Sequence, residues 1–140
     1  MRFWDSSALV PLLVEETATR YCLQAIAGDR EMLVWCLSRV EVISALCRKL
    51  RDGTLGDSEF QAAKKLLDAY LDRAYEVTAI ERVKKRAARL LEVHLLRAAD
   101  ACQLAAALVA CQEDPPRLPM VCFDERLSKA AVREGFTVTA

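Results

Sequence analysis

The chain has 140 residues, and its composition argues against two broad classes of protein. Hydrophobic residues make up 54% of it, which argues against disorder and predicts one domain over residues 1–140 with a core of useful size. Its 20 basic and 20 acidic residues balance, which argues against tight, purely electrostatic binding of nucleic acid. An enzyme with a local basic rim around an acidic centre remains compatible with that balance.

Helical patterns alternate with short apolar runs along the whole chain. In chain order the predicted elements are a strand at 3–4, helices at 7–14 and 17–27, a strand at 32–36, a helix from 38 to about 52, a helix beginning near 57, a strand at 75–78, helices at 81–92 and 98–111, a strand at 120–123, a helix at 125–133 and a strand at 136–139. Ser38 is predicted to cap its helix, and helix 98–111 is apolar nearly all round, as central helices are. This alternation predicts an α/β fold, a three-layer α/β/α sandwich with a mainly parallel central sheet.

Six cysteines and a single histidine raise the question of zinc or disulfides. No Cys-x-x-Cys pair occurs and His94 is the only imidazole, so a structural zinc site lacks its usual spacing. The chain reaches Asp5 almost at once, unlike a secretory signal, and no apolar run has the roughly 18 residues of a membrane span. We therefore expect reduced cysteines in a cytoplasmic protein that does not enter a membrane.

Four acidic residues stand where a strand or loop gives way to an apolar helix: Asp5, Glu41, Asp100 and Asp124. In parallel sheets, ligands bind beyond the carboxyl ends of the strands. Asp5 and Asp124 each follow a predicted strand directly, and Glu41 follows strand 32–36 within its next helix. We therefore expect these carboxylates to lie together on that edge of the sheet.

Each acidic residue also has a purely structural explanation. Asp5 and Asp124 have the placement of helix N-caps, and Asp100 has that of a cap or first-turn residue, roles that are compatible with metal binding. Glu41 has no basic residue three or four positions away, and Asp100 has only Arg97 nearby on the most apolar helix. An unpaired carboxylate at Asp100 would be costly, so the fold must supply a partner for it from elsewhere.

A divalent cation is the natural compensation for converging carboxylates. Two carboxylates about 4 Å apart repel by roughly 4 kcal/mol at an effective dielectric constant near 20. Oxygen ligands with room for water suit Mg²⁺ or Mn²⁺ better than zinc. Such an ion polarises a phosphate and lowers the pKa of a water, so the predicted chemistry is phosphodiester hydrolysis.

Taken in order, the acidic segments resemble a PIN-domain ribonuclease of the VapC toxin type. Asp5-Ser6-Ser7 resembles that family's first motif, in which the Asp binds metal and a neighbouring hydroxyl supports the site. The segment 38–41, ending in Glu41, resembles the second motif. Asp100 followed by its alanine-rich helix resembles the third, and the segment 121–127 around Asp124 resembles the last.

This resemblance implies a metal-dependent endoribonuclease acting with Mg²⁺ or Mn²⁺. Asp5, Glu41 and Asp100 are then metal ligands, Asp124 assists directly or through water, and Ser7 or its neighbour Ser6 orients a carboxylate or the water. The products implied carry a 5′-phosphate and a 3′-hydroxyl. The resemblance also implies a homodimer and a cognate protein antitoxin that blocks the site.

Two alternative functions remain open at this point. The family often has Thr or Ser two residues before the last Asp, and here that residue is Cys122, whose thiol is a poor substitute for a hydroxyl in hard-metal chemistry. This departure motivates a catalytically degenerate PIN-like domain that binds RNA or a protein without cutting. A receiver-type phosphotransfer domain is the other alternative, but the first strand lacks a second Asp and no lysine follows a late strand.

Overall fold

Five parallel strands form the centre of the fold, which a computed structural model describes over residues 1–139; Ala140, the last residue of the predicted domain, lies outside the described residues. The sheet order is β3-β2-β1-β4-β5, with β1 Arg2–Trp4, β2 Met32–Trp35, β3 Tyr75–Val77, β4 Met120–Val121 and β5 Val138–Thr139. The helices are α1 Ser6–Leu13, α2 Thr19–Gly28, α3 Ser38–Arg51, α4 Asp57–Leu71, α5 Ile80–Val93, α6 Ala98–Ala110 and α7 Glu125–Arg133. The predicted α/β/α class and parallel sheet are confirmed.

The two faces of the sheet carry separate apolar cores. Successive strand residues point to opposite faces, so Phe3 of β1 packs into one core and its neighbour Trp4 into the other. The first core joins the sheet to α5, α6 and α7, and the second joins it to α1 through α4. Helix α6 is buried from Gln103 to Val109, as its all-round apolar sequence predicts.

The order of the strands places a switch point at the centre of the sheet. From β1 the chain adds β2 and β3 on one side, then crosses over to add β4 and β5 on the other. The carboxyl ends of β2, β1 and β4 therefore lie side by side, and ligands of open parallel sheets bind beside such a point.

Strands β4 and β5 are shorter than predicted because neighbouring groups take their backbone hydrogen bonds. The N–H of Phe123 donates to Ser7 Oγ at 2.9 Å, which ends β4 before that residue. Phe136 belongs to the end of helix α7 and not to β5, because its N–H donates to Ala131 O. The N–H of Gly135 donates in the same way to Val132 O. Gly135 has φ +101°, the left-handed conformation that this helix ending requires.

The prediction that Ser38 caps helix α3 is wrong. Leu37 occupies the N-cap position without a side-chain cap, and Ser38 is the first helical residue. Its hydroxyl is fully buried and accepts a hydrogen bond from Gln103. A contact across the molecule has replaced the local one that its position in the sequence suggested.

The cysteines in the described residues are free thiols, three of them buried. Within residues 1–139, no single helix has the length and apolarity to span a membrane; α5 and α6 reach these values only as a pair, bent by 119° at the break.

Candidate metal centre

Asp5 lies at the end of β1, directly before α1, with only 4% of its surface exposed. Its Oδ2 caps α1 by accepting the N–H of Ser7 at 2.9 Å, and it also accepts the Ser7 hydroxyl. Burial raises the pKa of Asp5 to about 6 against the opposing effect of these bonds, and the charge of Glu41 raises it further. No basic side chain within residues 1–139 forms a salt bridge with this buried carboxylate.

Glu41 projects from the first turn of α3 and receives its hydrogen bonds from two other helices. Its Oε2 accepts the Ser6 hydroxyl of α1 at 2.7 Å and the Gln103 amide of α6 at 3.0 Å. Burial raises the pKa of Glu41, the two hydrogen bonds oppose that rise, and the charge of Asp100 adds to it. The absence of a basic neighbour in its own helix is therefore offset by neutral donors and not by an ion pair.

Asp100 and Asp124 head the helices α6 and α7. Asp100 Oδ2 accepts the backbone N–H of Arg97 at 3.3 Å, and Asp124 Oδ1 caps α7 through the N–H of Leu127 at 2.8 Å. Burial raises the pKa of Asp100, and the charge of Asp124 raises it further. The charges of Arg97 and Arg126 lower it, although neither arginine forms a salt bridge with Asp100 within residues 1–139.

The four carboxylates form a continuous series of like charges, because Asp5 and Glu41, Glu41 and Asp100, and Asp100 and Asp124 each act on one another. Over residues 1–139, all hydrogen bonds to these side chains end on one oxygen each, and no salt bridge reaches them. The other oxygens are Asp5 Oδ1, Glu41 Oε1, Asp100 Oδ1 and Asp124 Oδ2. Each carboxylate thus has an oxygen left for a ligand.

The donor set fits Mg²⁺ or Mn²⁺ by its chemistry. Oxygen ligands that carry uncompensated negative charge match a hard cation. Cys122 is a protonated thiol in the metal-free protein, because burial and the charge of Asp5 raise its pKa to about 12. His94 is engaged elsewhere, with Nε2 2.6 Å from Glu134 Oε1. In the described part of the chain, no three Asp, Glu, His or Cys side chains converge closely enough to form a ready-made metal cage.

The four carboxylates lie as a series of neighbours within residues 1–139, without the close convergence of three that was expected, and the two serines each hold one of them. Ser7 holds Asp5 and also accepts the N–H of Phe123, so it joins the ends of β1 and β4. Cys122 donates its S–H toward Asp5 Oδ2 at 3.6 Å. The thiol therefore acts as a weak donor to the Asp5 carboxylate, beside the stronger donor Ser7.

The sequence alone did not identify two residues of the site, Gln103 and Arg126. Gln103 reaches Glu41 from one turn beyond Asp100, and Arg126 acts on Asp100 from α7. The signal for Gln103 is a polar side chain three residues after Asp100 on an otherwise apolar helix, which places both on one helix face. Arg126 carries no comparable signal, because a basic residue in the first turn of a surface helix is ordinary.

Comparisons with known proteins identify the family of this chain. A family model described as PIN domain matches residues 2–133. Ribonuclease VapC45 and Ribonuclease VapC49, from two strains of Mycobacterium tuberculosis, are each 31% identical to this chain over 136 residues, which covers 97% of this chain and 92% of each relative.

Two solved structures share the fold at low sequence identity. FitAcB from Neisseria gonorrhoeae has a TM-score of 0.67 at 14% identity, covering 100% of this chain and 97% of that one. VapBC2 from Rickettsia felis, bound to a DNA fragment from its promoter, has a TM-score of 0.62 at 11% identity, covering 99% and 96%. The family model and the relatives above 30% identity together establish that the chain belongs to the PIN-domain family, among its VapC-type members.

Proposed function

We propose that this protein is a metal-dependent endoribonuclease and the toxin of a type II toxin–antitoxin pair. One observation carries the proposal: four neighbouring carboxylates repel one another electrostatically and form no salt bridge within residues 1–139. Each of them also keeps one oxygen free of hydrogen bonds. The relatives named Ribonuclease VapC support RNA as the substrate class.

In this proposal Asp5, Glu41 and Asp100 hold Mg²⁺ or Mn²⁺, and Asp124 assists directly or through water. When bound there, the ion supplies Lewis-acid polarisation of the phosphodiester and acidifies the attacking water. Ser7 keeps Asp5 in place and Ser6 does the same for Glu41, so the ligands are oriented before the substrate arrives. The expected products carry a 5′-phosphate and a 3′-hydroxyl.

Arg97 and Arg126 are basic side chains whose positive charges act on Asp100 of the acidic cluster. Both lower the pKa of Asp100, both are exposed, and neither forms a salt bridge within residues 1–139. Their guanidinium groups suit RNA phosphates beside the scissile bond. Arg39 and Lys49 of α3 are less suited, because they pair with Asp68 and Glu16.

The experiment is cleavage of a 5′-labelled RNA by the purified protein after exhaustive chelation and after return of Mg²⁺ or Mn²⁺. We expect no cleavage without metal and internal cuts ending in a 3′-hydroxyl with it. Cleavage that survives EDTA contradicts the metal requirement. A protein that binds RNA but never cuts it, with either metal present, supports the degenerate domain that the Cys122 departure suggests.

The partners belong to the same proposal. The solved neighbours VapBC2 and FitAcB support a protein antitoxin that blocks the site, and we expect a cytoplasmic homodimer as the free toxin. Co-expression with a small DNA-binding protein encoded just upstream should yield a stable complex with suppressed cleavage. Light scattering of the free protein at the mass of a monomer would contradict the dimer.

A further inference from the structure

Gln103 is the most deeply buried polar side chain that contacts the acidic cluster. It has 1% of its surface exposed and lies on α6, one helical turn beyond Asp100. Its amide Nε2 lies 2.7 Å from Ser6 Oγ, 3.1 Å from Ser38 Oγ and 3.0 Å from Glu41 Oε2. One side chain therefore ties α6 to both α1 and α3 at the site.

The orientation of this amide is fixed by the groups around it. An ionised carboxylate can only accept hydrogen bonds, so Glu41 requires the N–H end of the amide. Rotating the amide by half a turn would place its carbonyl oxygen against Glu41 Oε2, two acceptors facing each other. The amide has two N–H bonds for three acceptor atoms, so its donor end is fully engaged.

The opposite end of the amide is left unsatisfied. Gln103 Oε1 is buried and has no hydrogen-bond partner among residues 1–139. Buried polar atoms normally find partners, and an unmade hydrogen bond destabilises the fold. An apolar residue of similar size would remove that penalty, but it would also remove the donor that Ser38 and Glu41 share. The folding balance of this amide is therefore mixed, whereas its contact with Glu41 places it directly beside the acidic cluster.

We propose that Gln103 is a positioning residue of the metal site: its amide holds the Glu41 carboxylate in the orientation that binds Mg²⁺ or Mn²⁺. The inference rests on the proposed function, because it gives a role to a side chain that contacts a proposed metal ligand and not the ion. Groups that orient metal ligands typically change metal affinity 10- to 100-fold when they are removed.

The test is Gln103→Met, which keeps the size of the side chain and removes the amide. We expect Mn²⁺ affinity, measured by calorimetry, to fall about 10- to 100-fold. The melting temperature of the metal-free protein should change little or fall modestly, because removing the unsatisfied oxygen is offset by the loss of the donor to Ser38 and Glu41. A purely structural role predicts a lower melting temperature with Mn²⁺ affinity unchanged. Gln61→Met, on an exposed glutamine of α4, is the matched control and should change neither quantity.

A double-mutant cycle with Glu41→Gln tests whether Gln103 changes Mn²⁺ affinity through the Glu41 carboxylate. If Gln103 acts through Glu41, adding Gln103→Met to Glu41→Gln should lower Mn²⁺ affinity no further. Gln103→Leu serves the same cycle if methionine disturbs folding. Wild-type affinity in Gln103→Met, with affinity lost in Glu41→Gln, overturns this inference and leaves the proposed function intact. A wild-type protein that binds no Mn²⁺ overturns both.

Discussion

Asp5 combines burial with a negative charge, and that combination has a thermodynamic consequence. Its pKa is raised to about 6 in the folded protein, so between its ordinary value near 3.8 and 6 the folded state binds more protons than the unfolded state. The free energy of unfolding of the metal-free protein therefore falls as pH rises through this range. Glu41 and Asp100, whose pKa values are also raised, act in the same direction.

The first prediction compares wild type with Asp5→Asn in EDTA by urea unfolding at about pH 5 and about pH 8. The wild type should lose stability at the higher pH, with Asp5 contributing roughly 1.4 kcal/mol of that loss, because part of its effect already lies below about pH 5. Asp5→Asn should lose less, because its amide does not titrate. Equal losses in the two proteins would show that Asp5 ionises as readily when folded as when unfolded.

Helix α6 is the element on which both the core and the site depend. Its buried residues fill the core against α5 and the sheet, while its first turn carries Asp100 and its next turn Gln103. A cavity in this helix should therefore affect global stability more than the same change on a loop. The packing of the apolar residues of α6 thus fixes the position of Asp100 in its first turn.

The second prediction is that Leu104→Ala destabilises the protein by about 2–5 kcal/mol, because Leu104 is fully buried in the core. Leu95→Ala makes the same chemical change at a side chain that is 87% exposed, and should shift stability by less than about 0.5 kcal/mol. Chemical denaturation measures both. Similar values for the two variants would contradict the central position of α6.

The helices and strands could be predicted from the sequence because local periodicity and capping residues determine them. Their ends could not where distant groups compete for the backbone, as Ser7 does for the N–H of Phe123. The carboxylates could be predicted as a set because strand ends share one edge. Gln103 and Ser38 could not, since their roles depend on the meeting of three helices that the sequence does not order in space.

At the scale of the whole molecule, the net charge is balanced but the charged side chains are unevenly distributed. The sequence is formally neutral, yet acidic side chains concentrate at the carboxyl edge of the sheet with Arg97 and Arg126 beside them. RNA binding should therefore depend on a few basic contacts and not on the overall field. The salt dependence of binding should then be shallow and sensitive to single arginines.

The third prediction concerns RNA affinity in the Glu41→Gln background, in which cleavage should be lost. Adding Arg126→Ala should weaken binding and reduce the slope of log affinity against log salt by about 0.7, because one phosphate contact to single-stranded RNA is lost. Arg133→Ala, at the other end of α7, is the matched control and should leave the slope unchanged. Identical slopes for the two arginine variants would remove Arg126 from the RNA interface.

A metal-titrated digestion of total RNA, with wild type and Asp100→Asn side by side, tests the central claim most directly. Asp100→Asn keeps the size of the side chain and its acceptor oxygen for the Arg97 N–H, but removes the negative charge. Wild type should cleave only when Mg²⁺ or Mn²⁺ is present, and Asp100→Asn should be slower by at least about 100-fold at every metal concentration. Full cleavage by Asp100→Asn, or wild-type cleavage that persists in EDTA, would contradict a carboxylate-held metal site.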